Sequence, residues 1–264
     1  MARQLSNVLA TANSDGTPWG WGLGFVQSGE ILLKRRPLDE ATCINLDDMV
    51  SDVRSDTLIA HTRHATIGSL RTENTHAFRY QQWMFADTGT VDNFEQVRAR
   101  MHKSLPEFLQ RNLRGDTDSE LLFSLFLSFL HDASKLDFAG SAARDVFPAI
   151  KSTFGLLDRI GKEAKHSASR LNIILGTPEY LVAARRGAPM AYRVFKGRDD
   201  FAAMFDDDEP SALRMHDLDP CRLAVVASDF DDDVIPEGFT EVTDGTVIAF
   251  DRTATITASI PKPA

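Results

Sequence analysis

Cysteine and long apolar runs are scarce in this chain. The first absence argues against a disulfide-stabilised protein, and the second argues against a membrane-spanning one. The 264 residues include two cysteines, Cys43 and Cys221, which are too few for a disulfide framework. No apolar run is long enough to span a membrane, and the N-terminus lacks the charged-then-apolar pattern of a secretory signal. We therefore expect a cytoplasmic protein with no membrane partner.

Positive charge is also in short supply. Lys and Arg number 29 against 38 Asp and Glu, which gives a formal net charge of −9. Phosphate binding relies on clustered cations, so this balance argues against nucleic acid as a partner. The acidic runs 206–209 and 231–233 lack the spaced oxygen ligands of a calcium loop and are interpreted as solvated surface.

The pattern of apolar residues predicts strands, then helices, then strands again. Short strands are expected at 21–26, 31–34, 57–61, 82–86, 172–175, 180–184, 192–195, 223–227 and 246–250. The dipeptide Asp244-Gly245 predicts a closing hairpin before the last of these strands. This order indicates a mixed α and β fold, and the lack of a repeat or linker favours one domain over residues 1–264.

Three helical stretches lie between the two groups of strands. The first, at 93–112, should be split or kinked by Pro106. The second begins at Thr117, which we expect to form a reciprocal capping box with Glu120, and its apolar run 121–130 predicts deep burial. The third covers about 142–164.

The most informative segment is His61-Thr62-Arg63-His64-Ala65-Thr66-Ile67-Gly68, which follows the apolar run Leu58-Ile59-Ala60. A guanidinium fixed at a strand end is well placed to grip a small carboxylate in a two-pronged geometry. Two further segments complete the pattern: Trp83-Met84-Phe85-Ala86-Asp87-Thr88-Gly89-Thr90-Val91 and Gly115-Asp116-Thr117-Asp118-Ser119-Glu120.

Together with Gly20-Trp21-Gly22-Leu23-Gly24-Phe25, these segments resemble the class II glutamine amidotransferase domain of the N-terminal-nucleophile hydrolases. The resemblance covers nearly the whole chain. It implies a four-layer αββα sandwich and the hydrolysis of glutamine, or of another γ-glutamyl amide, by an N-terminal cysteine whose own α-amine is the base. No cofactor is implied, and the glycine-rich segment lacks the spacing of a dinucleotide site.

The chain departs from this family at two catalytic positions. Ala2 stands where the family has its nucleophile, and an alanine has no group that can attack an amide. Ser6 would replace it only after cleavage behind Leu5, which no feature of the sequence supports. In the oxyanion hole the family's His-Asn-Gly turn reads Asp87-Thr88-Gly89, so the backbone donor of Gly89 is kept and the amide donor is lost.

The shell that would hold glutamine is retained. By resemblance, Arg63 binds the substrate carboxylate, with Thr66, Thr75 and His76 nearby, and Asp118 accepts hydrogen bonds from the substrate ammonium. Asp118 has an alternative role, because an acidic residue in the first turn of a helix stabilises its dipole.

The histidines raise a second possibility for this segment. His61, His64 and His76 lie close in sequence, as zinc ligands often do. However, His61 and His64 should point to opposite sides of their strand, so we expect no metal site.

Three functional hypotheses remain. The protein is an amidotransferase or amidohydrolase in which Ala2 is a substitution, a pseudoenzyme that binds a γ-glutamyl compound and regulates a partner, or a scaffold that keeps only the fold. In the first case the ammonia goes to a separate acceptor enzyme or is released.

Overall fold

The computed structural model describes residues 19–37, 49–64, 66–137, 142–202, 218–230 and 233–260. Several predictions fall outside these residues. They concern the nucleophile position Ala2, the alternative nucleophile Ser6, the acidic run 206–209 and most of the acidic run 231–233.

Antiparallel strands form three sheets. The strands are β1 Trp19–Gln27, β2 Glu30–Pro37, β3 Leu58–His64, β4 Phe78–Tyr80, β5 Trp83–Gly89, β6 Leu171–Gly176, β7 Tyr180–Ala184, β8 Met190–Lys196, β9 Arg222–Ser228, β10 Thr240–Glu241, β11 Val247–Asp251 and β12 Ile256–Ile260. The larger sheet has the order β12-β11-β7-β6-β5-β4, and the smaller sheets have the orders β2-β1-β3 and β10-β8-β9. Each of the nine predicted strands overlaps an observed one.

The helices are α1 Phe94–Lys103, α2 Glu107–Gln110, α3 Asp118–Asp132, α4 Ala143–Glu163 and α5 Gly197–Ala202. The predicted split of the first helical stretch is confirmed, because Pro106 is the N-cap of α2. In the described part of the chain, no helix is both long and apolar enough to cross a membrane.

Helices α3 and α4 cover one face of the larger sheet. Twelve of the fifteen residues of α3 are buried, which confirms the deep burial expected from its apolar run. Trp83 of β5 packs edge-on against Phe126 of α3, with ring centroids 5.8 Å apart, and Phe85 stacks on Phe123 at 5.0 Å. Aromatic contacts of this kind join β5 firmly to α3.

The other face of the larger sheet packs against the two smaller sheets. Met84 and Ala86 of β5 contact Ile31 and Ile59 of the first small sheet. A second cluster joins β8 to the larger sheet through Met190, Val242, Ile248, Phe250 and Ala183. A short helical segment at Met49 packs on the outer face of the first small sheet, against Leu23 and Phe25. The layers therefore follow the expected αββα order.

The predicted closing hairpin at Asp244-Gly245 is wrong. β10, before this turn, pairs with β8 in a small sheet, whereas β11, after it, pairs with β7 and β12 in the larger sheet. The turn thus carries the chain from one layer to the next. Arg185 fixes this crossing by donating hydrogen bonds to Glu241 and to the carbonyl of Val242. The hairpin that does form joins β11 to β12.

The predicted capping box is half correct. The hydroxyl of Thr117 accepts a hydrogen bond from the backbone N–H of Glu120 at 3.3 Å, as expected. The Glu120 carboxylate does not return this bond to Thr117. It accepts instead the N–H groups of Arg114 at 2.8 Å and Gly115 at 2.7 Å, because the chain folds back over the start of α3. The side chain of Glu120, from the first turn of α3, therefore holds the turn that precedes this helix.

Gly22 lies where two backbones meet. A Cβ atom at this position would overlap the carbonyl oxygen of His76, which approaches β1 from the adjacent loop. We expect Gly22→Ala to lower the free energy of unfolding by about 1–3 kcal/mol, because the backbone must shift to relieve the clash. Gly155→Ala is the matched control. Position 155 is an open helical site, so alanine there should stabilise by about 0.5–1 kcal/mol. Urea denaturation of both variants measures the two effects, and equal effects would contradict this assignment.

Candidate active site

A groove opens between the larger sheet and the small sheets. Its volume is about 1220 Å³, and β3, β5, β6, β9, β11 and the first turn of α3 line it. Six residues singled out in the sequence lie along this groove: Arg63, Thr66, His76, Thr88, Gly89 and Asp118. The fold therefore gathers residues that are up to 55 positions apart in the sequence into one site.

Arg63 is the buried cation of the groove. It lies near the end of β3, is 5% exposed and holds the following loop by donating hydrogen bonds to three carbonyl oxygens. The acceptors are Ile67 at 2.7 Å, Gly68 at 3.2 Å and Ser69 at 3.4 Å. Burial lowers the pKa of Arg63, and the nearby carboxylates of Asp116 and Asp118 oppose this shift. The cation and these acids therefore lie within electrostatic reach of one another.

Asp118 is a buried acid that lines the same groove. It is the first residue of α3, and one of its carboxylate oxygens accepts the backbone N–H of Val91 at 2.7 Å. Burial, and after it the charge of Asp87, raises its pKa to about 6 against the opposing effect of backbone hydrogen bonds. At neutral pH the carboxyl group is mostly ionised and is available to a cationic ligand.

Thr88 and Gly89 end β5 at the rim of the groove. Side chains alternate along a strand, so Thr88 points to the same face as Met84 and Ala86, toward the small sheets. Gly89 has φ +123°, and a side chain there would also collide with the carbonyl oxygen of Arg170. Only glycine suits this turn. The backbone at the end of β5 is therefore not covered by a side chain and borders the groove directly.

His76 and Asp87 form a buried pair. The His76 Nε2 and Asp87 Oδ1 atoms are 2.9 Å apart, and the two side chains are 7% and 1% exposed. Burial raises the pKa of Asp87 to about 7, with the Ser119 hydroxyl opposing the rise. Burial, together with the charges of Arg63 and Arg35, lowers the pKa of His76 to about 3. Between about pH 3 and pH 7 the pair is therefore uncharged.

A second imidazole packs on this pair. The ring centroids of His61 and His76 are 4.0 Å apart, and burial, followed by the effect of His76, lowers the pKa of His61 well below its usual range. His64 is exposed on the opposite side of β3, as the sequence predicted. Among the described residues, no three His, Cys, Asp or Glu side chains are placed to hold one metal ion.

The two threonines named in the sequence occupy different places. Thr66 is exposed at the groove, and its hydroxyl lies 3.2 Å from that of Thr90, which joins the loop after β3 to the turn after β5. Thr75 is fully buried, and its hydroxyl donates to the carbonyl of Arg71 at 3.1 Å. Thr75 does not line the groove in the described part of the chain. The hydrogen bond of Thr75 therefore stabilises the loop away from the groove.

Two features of the site are not predicted by the sequence. The sequence places Asp87 in the oxyanion turn but does not predict its pairing with His76. No sequence pattern indicates a role for Asn74, although its amide is fully buried between the loop after β3 and the turn before α3. Neither contact has a local signal, because the partners are 11 and 42 residues apart.

The sequence matches the family model described as glutamine amidotransferases class-II over residues 6–263. It is 28% identical over 184 residues to a Haemophilus influenzae protein provisionally named glutamine amidotransferase, an alignment that covers 66% of this chain and 53% of that protein. The chain spans about half the length, or less, of the curated relatives it matches.

Comparison with solved structures shows the same fold in proteins named as glutamine aminotransferases or amidotransferases. A glutamine aminotransferase class-II domain protein from Silicibacter pomeroyi superposes with a TM-score of 0.58 at 23% identity, covering 92% of both chains. The Bacillus subtilis glutamine phosphoribosylpyrophosphate amidotransferase gives 0.57 at 15% identity, covering 98% of this chain and 45% of that one. At such identities the likeness shows the shared fold, which is that of the N-terminal-nucleophile hydrolases.

Proposed function

The chain belongs to the class II glutamine amidotransferases, and we propose that it binds L-glutamine, or a related γ-glutamyl amide, beside Arg63 and Asp118. One observation carries the proposal: a buried cation and a buried anion line the same groove. The α-carboxylate and α-ammonium of an amino acid require opposite charges of this kind, held in fixed positions.

The electrostatics of the groove support this ligand. The charge of Asp118 opposes the lowering of the Arg63 pKa, so the two side chains lie within electrostatic reach of one another. Both are almost completely shielded from water, which strengthens charge-assisted hydrogen bonds to a ligand. The side-chain amide of glutamine would then extend toward Thr88 and Gly89 at the end of β5.

Hydrolysis is a separate matter, and we propose that it is weak or absent in this chain. Ala2 supplies no nucleophile, and Thr88 replaces an amide donor with a shorter hydroxyl. Above about pH 7 the carboxyl of Asp87 also adds negative charge close to the turn where the transition state would develop it. These changes favour a pseudoenzyme that binds the amide and signals to a partner. A scaffold that binds no amide is the alternative.

Calorimetric titration of L-glutamine at pH 7.5 tests the proposal. We expect saturable binding to the wild-type protein and a loss of affinity of at least about tenfold for Asp118→Asn, because a hydrogen bond to a charged group contributes roughly 1.5–3 kcal/mol. Asparagine keeps an oxygen for the N–H of Val91, so the variant should still fold.

Asp92→Asn is the matched control. It removes a carboxylate from the rim of the same groove, where Asp92 accepts from the hydroxyl of Ser167 at 3.0 Å, and it should bind glutamine as the wild type does. Equal losses in both variants would indicate a general charge effect. No binding to the wild-type protein would reject the proposal and favour the scaffold.

A further inference from the structure

One buried amide joins the two charged sides of the groove. Asn74 is 0% exposed, and its Nδ2 donates to the carbonyl of Ser69 at 2.9 Å and to Asp116 Oδ1 at 2.5 Å. Its Oδ1 accepts the backbone N–H of Asp116 at 2.9 Å. The amide thus makes a reciprocal pair of hydrogen bonds with Asp116, and on the loop it contacts both the carbonyl and, at 3.3 Å, the hydroxyl of Ser69.

On one side, Asn74 shares an acceptor with Arg63. The carbonyl of Ser69 receives hydrogen bonds from both side chains, and Arg63 also holds the carbonyls of Ile67 and Gly68. The loop after β3 is therefore held between the guanidinium and the amide. A shift of Asn74 would move this loop and, with it, the guanidinium.

On the other side, Asn74 holds the residue two positions before Asp118. Asp116 belongs to the turn that the Glu120 carboxylate fixes through the N–H groups of Arg114 and Gly115. This turn leads directly into the Thr117 cap and the first residue of α3. Because only the N-cap Thr117 separates the two residues, a displacement of Asp116 should also displace Asp118.

The packing around the amide leaves it no room to move. A side chain at Gly115 would collide with Asn74 Oδ1, and a Cβ atom at Gly68 would lie 3.0 Å from Asn74 Nδ2 and 2.9 Å from Asp116 Oδ1. Two glycines on opposite sides thus allow both backbones to approach the amide closely. A side chain at position 74 that only filled space would not require a close backbone contact on both sides.

We propose that Asn74 is a positioning residue that sets the separation between Arg63 and Asp118. This inference rests on the proposed function, because that separation decides whether both ends of an amino acid are bound at once. Asn74 need not touch the ligand. It acts through the Ser69 carbonyl on one side and through Asp116 on the other.

An exchange of the two partners tests the proposal. Asn74→Asp places two carboxylates in contact and removes the bond to Ser69, and Asp116→Asn removes the charged acceptor. We expect the affinity for L-glutamine, measured by calorimetry, to fall at least tenfold for Asn74→Asp. The double variant Asn74→Asp with Asp116→Asn restores an amide–carboxylate pair but not the donor to the Ser69 carbonyl, so its affinity should recover in part, to a value between those of Asn74→Asp and the wild type.

A ligand with one charged end separates positioning from general stability. Glutaramate carries the carboxylate and the amide of glutamine but no ammonium, so it does not depend on the Arg63 to Asp118 separation. Its affinity, measured by ligand-observed NMR, should fall clearly less in Asn74→Asp than the affinity for L-glutamine, because only one of its ends depends on a charged side chain. Equal losses for both ligands, or no recovery in the double variant, would overturn the proposal.

Crystal structures of the two single variants and of the double variant test the positioning without a ligand. We expect the distance between Arg63 Cζ and Asp118 Cγ to change in Asn74→Asp and to return part of the way in the double variant, which regains the pair with residue 116 but not the bond to Ser69. An unchanged distance in all three would overturn the inference. If the wild-type protein binds no glutamine, the proposed function fails, while the crystal structures still decide whether Asn74 sets this distance.

Discussion

Replacing Asp87 with asparagine is expected to stabilise the folded protein above neutral pH and to leave its stability near pH 4 almost unchanged. The carboxyl group is buried, with a pKa of about 7, whereas its ordinary value is 3.8. Between these two values the unfolded chain releases a proton that the folded protein retains. The contribution of Asp87 to stability therefore falls as the pH rises, on the order of 4 kcal/mol in total at 1.36 kcal/mol per unit.

The pairing with His76 hides this effect in the wild-type protein. The pKa of His76 is lowered to about 3 from 6.5, so its contribution to stability rises with pH over much of the same range. Between about pH 4 and pH 6.5 the two slopes nearly cancel. The difference in unfolding free energy between Asp87→Asn and the wild type isolates the aspartate, because His76 is common to both.

Urea denaturation from pH 4 to pH 8 measures this difference. It should be near zero at pH 4, grow up to about pH 7 and then stay constant. Asp137→Asn, at an exposed site, is the control and should remain within about 0.5 kcal/mol of the wild type throughout. If Asp87→Asn were instead the less stable protein between pH 5 and pH 8, the pair would be a charged one.

Restoring a nucleophile and an amide donor together is expected to produce measurable glutaminase activity. The wild-type chain should release glutamate no faster than an uncatalysed blank, because Ala2 has no group that attacks an amide. Ala2→Cys supplies a thiol next to the free α-amine once Met1 is removed. Adding Thr88→Asn should then raise the rate by about 10²–10³-fold, since that is the usual effect of one oxyanion donor.

Release of glutamate, measured in a coupled assay, gives the comparison. The matched control is Ala2→Cys with Thr90→Asn, which places an asparagine two residues further along the same turn and should bring no such gain. Arg63→Ala in the active double variant should remove the activity. Glutamate release by the wild-type chain that depends on Arg63 would show that this chain has a different nucleophile.

These results would have different meanings for function. Glutamine binding without hydrolysis describes a sensor of an amide, for which the missing nucleophile at Ala2 and the missing amide donor at Thr88 are no disadvantage. Activity regained by two substitutions would mean that the remaining shell, from Arg63 to Asp118, is still arranged for the transition state.

The sequence by itself determined the kinds of elements and the family. Periodicity along the chain predicted α3 and its burial, Pro106 predicted the break before α2, and the segments around Arg63 and Asp118 indicated the ligand shell. These features depend on neighbouring residues, because helices, turns and caps are set by contacts within a few positions. The segment 82–86 predicted most of β5 for the same reason.

Only the tertiary structure decided which distant residues meet. The Asp244-Gly245 turn has a hairpin sequence, yet it carries the chain between sheets because Val242 is buried between them and Arg185 holds the crossing. The Asp87–His76 pair and the Asn74 bridge join separate segments. Such contacts depend on strand register and on how the layers pack, and a local pattern contains no information about either.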